Sequence, residues 1–222
     1  MPRRIIGSAF ISLDGVIQAP GGPTEDPTGG FDQGGWLPPF FDEITGQAMG
    51  EFFARDYDLL LGRRTYDIFA AYWPWVEGED AGLGGTFNSA QKYVLTRGQP
   101  ALEWENSHRL GGMDDLARIK AGDGPDLLIQ GSGTIYPALL AAGLLDRLTL
   151  LTFPVVLGAG KRLFGEGTPS RTMQMIDQKV TPSGVVIATY EPAGEVRTGW
   201  AGPQINSERE VERQRRMATG TW

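Results

Sequence analysis

The residues Asp126–Tyr136, DLLIQGSGTIY, constrain this chain more than any other stretch. Leu127, Leu128 and Ile129 form the short apolar run that a strand buried on both faces requires. Gly131-Ser132-Gly133 follows at once, and Thr134 to Ala142 reads as a helix. A strand that runs through glycines into a helix start is a place for phosphate. Backbone N–H groups approach there without an intruding side chain, and the helix N-terminus favours negative charge. The full dinucleotide fingerprint wants a third glycine where Tyr136 stands, so alone the motif says little more than strand-to-helix turn.

The same alternation recurs along the chain. Arg4–Leu13 reads as a strand closed by the turn dipeptide Asp14-Gly15. A Gly- and Pro-crowded segment then runs to Leu37, long enough to be functional or disordered. Pro38-Pro39 open a helix of about four turns reaching Arg55, with proline tolerated in its first turn. Phe40, Phe41, Ile44, Ala48, Met49 and Phe52 share its apolar face; Asp42 lies at the edge of that face and Glu43 points away. Tyr57–Leu61 is a buried-strand candidate ending in Gly62-Arg63-Arg64-Thr65, and Thr65 can cap a short helix that Pro74 stops.

Glu77–Ser89 reads as an acidic, Gly-rich loop, Lys92–Thr96 as a strand ending at Arg97, and Met113–Ala121 as a helix. Arg147–Phe153 is a further strand. Met173–Val180 and Val185–Tyr190 read as a closing antiparallel hairpin. Gly158-Ala159-Gly160-Lys161 is not a P-loop, because Val155 and Arg162 stand where that motif needs Gly and Ser or Thr. The chain therefore divides into a folded unit, 1–193, and a charged tail, 194–222. Within the tail Ser207-Glu208-Arg209-Glu210 fits a capping box, but Val211 alone is apolar between Ser207 and Arg216, so the helix has no face to bury.

Composition removes several function classes. A net charge of −7 argues against nucleic-acid binding. With no cysteine and one histidine, His108, the chain has no disulfide framework and no zinc chemistry to offer, and no metal site is expected. No apolar run approaches a membrane span, so a soluble, cytoplasmic protein is expected. Strands alternating with helices imply an α/β fold with a mostly parallel central sheet and helices on both faces. Ligands of such sheets bind outside the carboxyl ends of the strands. Three strand ends, Gly62–Thr65, Thr96-Arg97 and Gly131–Gly133, fall on that edge. Arginine forks and glycine-lined backbone suit a ligand with separated phosphates, such as NADPH.

These features resemble the dihydrofolate-reductase-like family, most closely the C-terminal reductase domain of the bacterial riboflavin biosynthesis deaminase-reductase. The marks are SLDG (Ser12–Gly15), LLLGRRTYDIF (Leu59–Phe69), YVLTR (Tyr93–Arg97), LLIQGSGTIYPALL (Leu127–Leu140) and LLDRLTLLTFPVVLGAGKRLF (Leu144–Phe164). The resemblance covers about Arg3 to Pro192. It implies a three-layer dihydrofolate-reductase-like fold, a homodimer, and NADPH-dependent hydride transfer to a small heterocycle, as in 5-amino-6-(5-phosphoribosylamino)uracil reductase. By analogy Gly62, Arg63, Arg64 and Thr65 hold the adenosine phosphate side, and Thr96 and Arg97 flank the 2′-phosphate. Gly131, Ser132, Gly133 and Thr134 hold the pyrophosphate. Leu13, Asp14 and Gly15 lie at the nicotinamide, and the loop ending at Trp36 acts as a lid, with Trp36 and Phe41 toward substrate.

A carboxylate beside an apolar helix face can keep a proton near neutrality. Asp42 is the expected acid on that ground, and Asp14 the second candidate. Two other readings stay open: a true dihydrofolate reductase, and a nucleotide-binding or interaction protein that kept the fold without turnover.

Overall fold

The apolar runs become the strands of one sheet. In a computed structural model, which describes residues 2–222, the strands lie in the order β4-β3-β2-β5-β1-β6-β8-β7. They are β1 (Ile5–Ser12), β2 (Tyr57–Gly62), β3 (Lys92–Leu95), β4 (Ser107–Leu110), β5 (Asp126–Gln130), β6 (Arg147–Phe153), β7 (Met173–Val180) and β8 (Val186–Pro192). Strands β1 to β6 run parallel, β8 returns antiparallel to β6, and β7 pairs antiparallel with β8. The expected mostly parallel sheet with a closing hairpin is the observed architecture.

The period of two assigns side chains to two layers. Ile5, Ala9, Leu60, Leu127 and Ile129 face Leu116 of α4 (Met113–Ala121) and Tyr136 and Leu139 of α5 (Tyr136–Ala142). On the opposite face Ile6, Leu59, Leu61 and Leu128 pack with Phe52 of α1 (Glu43–Phe53), Tyr66 of α2 (Arg63–Tyr72) and Phe87 of α3 (Ala81–Ser89). A third cluster continues that second face under Trp36, Leu37, Leu151, Phe153 and Ile187. The chain thus leaves β1 for a helix on one face, and leaves the neighbouring β5 for a helix on the other. Between them lies a topological switch point, where a crevice opens at the carboxyl ends of the strands.

Two local expectations are corrected. The helix expected from Pro38 begins at Glu43: Pro38–Phe40 is a separate 3₁₀ turn, Phe41 is extended, and Asp42 is the N-cap. The segment read as a Gly-rich loop contains α3, where glycine's low helix propensity is overridden by packing. Phe87 is buried, and a methyl group on Gly84 would stand 2.5 Å from Val76 Cγ1 and 2.9 Å from the Trp73 carbonyl oxygen, so only glycine fits there. The polar stretch around His108 forms the edge strand β4, with His108 exposed and its ring nitrogen 2.6 Å from Gln91 Oε1.

The tail forms α6 (Glu208–Thr219), with Ser207 Oγ accepting the Glu210 N–H at 3.2 Å. Glu212 pairs with Arg216 at 2.9 Å, and no residue of α6 is buried. Among the described residues no helix is long and apolar enough to cross a membrane.

Candidate active site

At the end of β2 the chain enters α2 directly, with Gly62 as an extended N-cap and no side chain capping the helix. At the end of β5, Gly131 (φ 72°) and Ser132 (φ 50°) turn the backbone left-handed into a 3₁₀ turn, Gly133–Ile135, also without a side-chain cap. Glycine adopts such a conformation freely, whereas serine there is strained. The strain is held by a specific contact: Gly62 N–H donates to buried Ser132 Oγ at 3.0 Å and ties the two helix starts together. Two neighbouring helix starts without side-chain caps form an edge of the kind that suits an anion. A methyl group on Gly131 would meet only Thr65 Cγ2, at 3.9 Å, so a ligand can approach the backbone closely there.

The third expected strand end joins this edge. Thr96 N–H bonds the Leu110 carbonyl at 3.1 Å, which fixes the backbone where Arg97 projects into solvent. Among the described residues the Arg97 side chain has no hydrogen-bond or ion-pair partner. Arg63 differs, being bonded to Asp67 at 2.8 Å and reaching the Ala101 carbonyl at 3.5 Å. Arg64 is exposed and stands 3.9 Å from the buried Asp26 carboxylate, which the Lys161 ammonium also pairs with. Thr134 is exposed beside Gly133.

The β1 end is a tight turn through Gly15 (φ 86°). Leu13 is exposed, and Asp14 does not face open solvent as an acid would. Its carboxylate accepts from Ser12 Oγ (2.7 Å), Leu157 N–H (3.0 Å) and Gly158 N–H (2.9 Å), with Arg162 3.6 Å away. The Ser12 hydroxyl first, and these backbone donors with it, lower the Asp14 carboxyl to about 2. The raised pKa expected of Asp42 is likewise reversed by its surroundings. Desolvation raises its pKa, but Thr45 N–H (2.9 Å), Ser183 Oγ (2.8 Å), Thr45 Oγ1 (2.8 Å) and Ser183 N–H (3.1 Å) outweigh it and hold the carboxyl well below the usual range. In this arrangement hydrogen bonds favour both carboxylates as anions and tie loops together.

The sign of the linkage follows. Asp14 is lowered from 3.8 to about 2, so its stabilising effect is complete above pH 4 and is lost as pH falls through about 2. Urea melts of wild type and Asp14→Asn should therefore differ by a constant amount from pH 4 to 7, and the gap should close toward pH 2. A gap that changes between pH 5 and 7 would contradict the assignment.

The loop expected to act as a lid is pinned. Ile17 N–H bonds the Lys161 carbonyl at 2.8 Å, Lys161 N–H bonds Gln18 Oε1 at 3.0 Å, and Gln18 Nε2 donates to the Asp26 and Thr28 carbonyls. The structure places Trp36, expected toward substrate, in the core. It is buried, its indole N–H donates to the Gln18 carbonyl at 2.8 Å, and its ring meets Phe153 edge-on at 5.5 Å. Phe41, 44% exposed beside the Asp42 cap, keeps a free face. Two groups that strand periodicity alone gave no role, Ser8 and Gln130, are buried on β1 and β5 at the switch point. Among the described residues no cluster of three His, Asp or Glu could hold a metal ion.

The fold has known counterparts. The chain is 28% identical over 198 residues to the uncharacterized protein YyaP of Bacillus subtilis (strain 168), covering 85% of this chain and 94% of that one. A putative riboflavin biosynthesis protein from Shewanella sp. PV-4 superposes with a TM-score of 0.62 at 20% identity, over 87% of this chain and 99% of that one. Dihydrofolate reductase from Enterococcus faecalis, solved with NADP(H) and RAB-propyl, gives 0.53 at 16%, over 85% and 96%. A pyrimidine reductase-like protein from Corynebacterium diphtheriae gives 0.53 at 13%, over 87% and 93%. At these identities the solved structures speak to the fold, which is dihydrofolate-reductase-like. The RibD C-terminal domain model matches residues 3–188, from the first residues of β1's approach to the middle of β8, and the chain belongs to that family.

Proposed function

We propose that this protein is an NADPH-dependent reductase that transfers hydride to a small heterocyclic substrate. The observation that carries the reading is the pair of uncapped helix starts at Gly62–Thr65 and Gly131–Thr134, locked together by the Gly62–Ser132 bond beside an unpaired Arg97. Family membership supports reductase chemistry, and the dihydrofolate reductase of the same fold was solved with NADP(H).

NADPH fits the residues present: open backbone at Gly131 for a pyrophosphate, and a free guanidinium at Arg97 for the 2′-phosphate. Gly62, Arg64 and Thr65 line the adenosine side, Ser132, Gly133 and Thr134 the pyrophosphate, and Leu13 and Gly15 the nicotinamide end. Bound there, the cofactor supplies the hydride, and this chain orients the partners and excludes water. With Asp14 and Asp42 held as anions, the proton comes from solvent positioned in the crevice. The unit 1–193 is the reductase, working in the cytoplasm, and 194–222 is an appendage outside it.

Titration of the protein with NADPH and with NADH at two salt concentrations, read by tryptophan fluorescence, tests the cofactor edge. Tighter binding of NADPH, weakened by salt, is the expected result. Absence of binding by either cofactor would overturn the proposal.

A further inference from the structure

The closing hairpin has an apolar face that the fold leaves bare. Strand alternation sets Leu150 of β6, Val186, Ala188 and Tyr190 of β8, and Met175 and Val180 of β7 in one layer, on the side of the sheet that carries α5. The charges of the hairpin, Asp177, Lys179 and Glu191, fall on the other side. Apolar residues on one face and charges on the other is the pattern of a sheet with one face buried. Leu150 and Met173 close the cluster under α5, yet beyond them Met175, Val180 and Val186 are exposed, Val180 at 63%. A bulge between Met175 and Asp177, with exposed Lys179, blunts the edge of β7 against strand addition. The face, not the edge, is the surface offered.

The tail carries apolar side chains with no surface to cover. It lies beyond the residues that the family model matches. From Pro192 to Trp222 only Glu210 and Glu212 are even half-buried. Helix α6 needs no core behind it. Ser207 caps its start, Gly220 (φ 66°) closes its end, and Arg213, Arg215 and Arg216 pair with Glu210 and Glu212 inside it. These contacts make a frame of a helix that its length alone would leave marginal. The apolar anchors stand on its flanks: Trp200, Ile205 and Trp222 line one open cavity of about 990 Å³.

A single chain leaves both surfaces bare, and two copies can cover both in one closed, reciprocal contact. The area suffices. Trp200 is 69% exposed and Trp222 77%. At about 150–250 Å² for a whole tryptophan, two such tails and the faces they cover bury roughly 900–1,500 Å² before Ile205 is added. Stable interfaces begin at about 1,200 Å². The charges also match. Among the described residues Asp177 and Lys179 on β7, and Glu208 and Arg209 in the first turn of α6, carry no ion pair. They supply two opposite-sign pairs for a polar rim around an apolar centre. We propose that the tail is an arm by which two copies of this chain hold each other. Trp200 and Trp222 of each copy seat on the apolar face of the other's β7–β8 hairpin, and Arg209 and Glu208 pair with Asp177 and Lys179 at its rim. The inference does not rest on the reductase reading.

Sedimentation velocity of the full chain tests it. Wild type should be dimeric at micromolar concentration. Trp200→Ala/Trp222→Ala in the tail, and Val180→Asp on the hairpin, change exposed side chains. Each should keep the wild-type circular-dichroism spectrum and weaken dimerisation about a hundredfold. Arg209→Glu should weaken it about tenfold, and adding Asp177→Arg should restore it. An equimolar mixture of the tryptophan variant with Val180→Asp should dimerise better than either alone, because the mixed pair keeps one intact junction of the two. A monomeric wild type would overturn the inference. So would a dimer that the tryptophan and charge variants leave unchanged, since the hairpins would then meet without the tails. A mixture no more dimeric than its components would overturn the exchange of arms.

Discussion

Gly7→Ala should destabilise the protein by about 3 kcal/mol, the upper part of the range for overpacking a dense core. The added methyl group would stand 2.5 Å from Tyr136 Oη, 2.6 Å from Cε1 and 2.9 Å from Cζ. Neither side can retreat. Gly7 sits mid-strand with β5 paired on one side at Ile129 and β6 on the other at Leu148. Tyr136 is fully buried at the start of α5, its hydroxyl directed at the Ser8 carbonyl. For a chain of this size the change corresponds to a fall in Tm of about 6–12 °C. Thermal and urea melts measure it, and the double variant Gly7→Ala/Tyr136→Leu should recover part of the loss through coupling between touching residues. A single variant within about 1 kcal/mol of wild type would show that the β1–α5 contact yields more easily than its geometry allows.

Arg97→Gln should weaken NADPH about ten- to hundredfold and leave NADH nearly unchanged, because only NADPH carries the 2′-phosphate that a charge-assisted, bidentate guanidinium contact would meet. The expectation attaches to Arg97 rather than Arg63 for a structural reason. Arg63 is already bonded to Asp67 and the Ala101 carbonyl, so recruiting it means breaking existing contacts. Arg97 starts free on a backbone fixed by the Thr96–Leu110 bond. Fluorescence titrations of Arg97→Gln and Arg63→Gln with both cofactors separate the two. The salt dependence of NADPH binding should fall in Arg97→Gln along with the affinity. Parallel weakening of NADPH and NADH by Arg97→Gln would remove the 2′-phosphate role.

The parts of this molecule visible in its sequence are those whose physics is local. Runs such as Leu59–Leu61 and Leu127–Ile129 announce doubly buried strands, and the glycines after β5 announce a left-handed turn. Elements decided by distant partners were hidden. α3 carries three glycines, and its helicity depends on Phe87 and Gly84 meeting Trp73 and Val76. β4 is polar because it is an edge. Asp42 shows the same limit at the site. A helical wheel drawn from Pro38 makes it a half-buried acid, but its real partner, Ser183, lies in the β7–β8 turn 141 residues away.

The placement of β1 has a consequence for how the protein is made. Of the strands in this sheet it is synthesised first and it occupies the middle, yet its neighbours are Leu127–Gln130 on one side and Arg147–Phe153 on the other. Until more than a hundred further residues have been synthesised, IIGSAFIS has no native strand to pair with. Topologies dominated by such distant pairings fold slowly, and their waiting strands are prone to aggregate. Nascent chains arrested before Leu127 should therefore hold this segment exposed and depend on chaperones, and the sheet can close around β1 only once β6 has emerged.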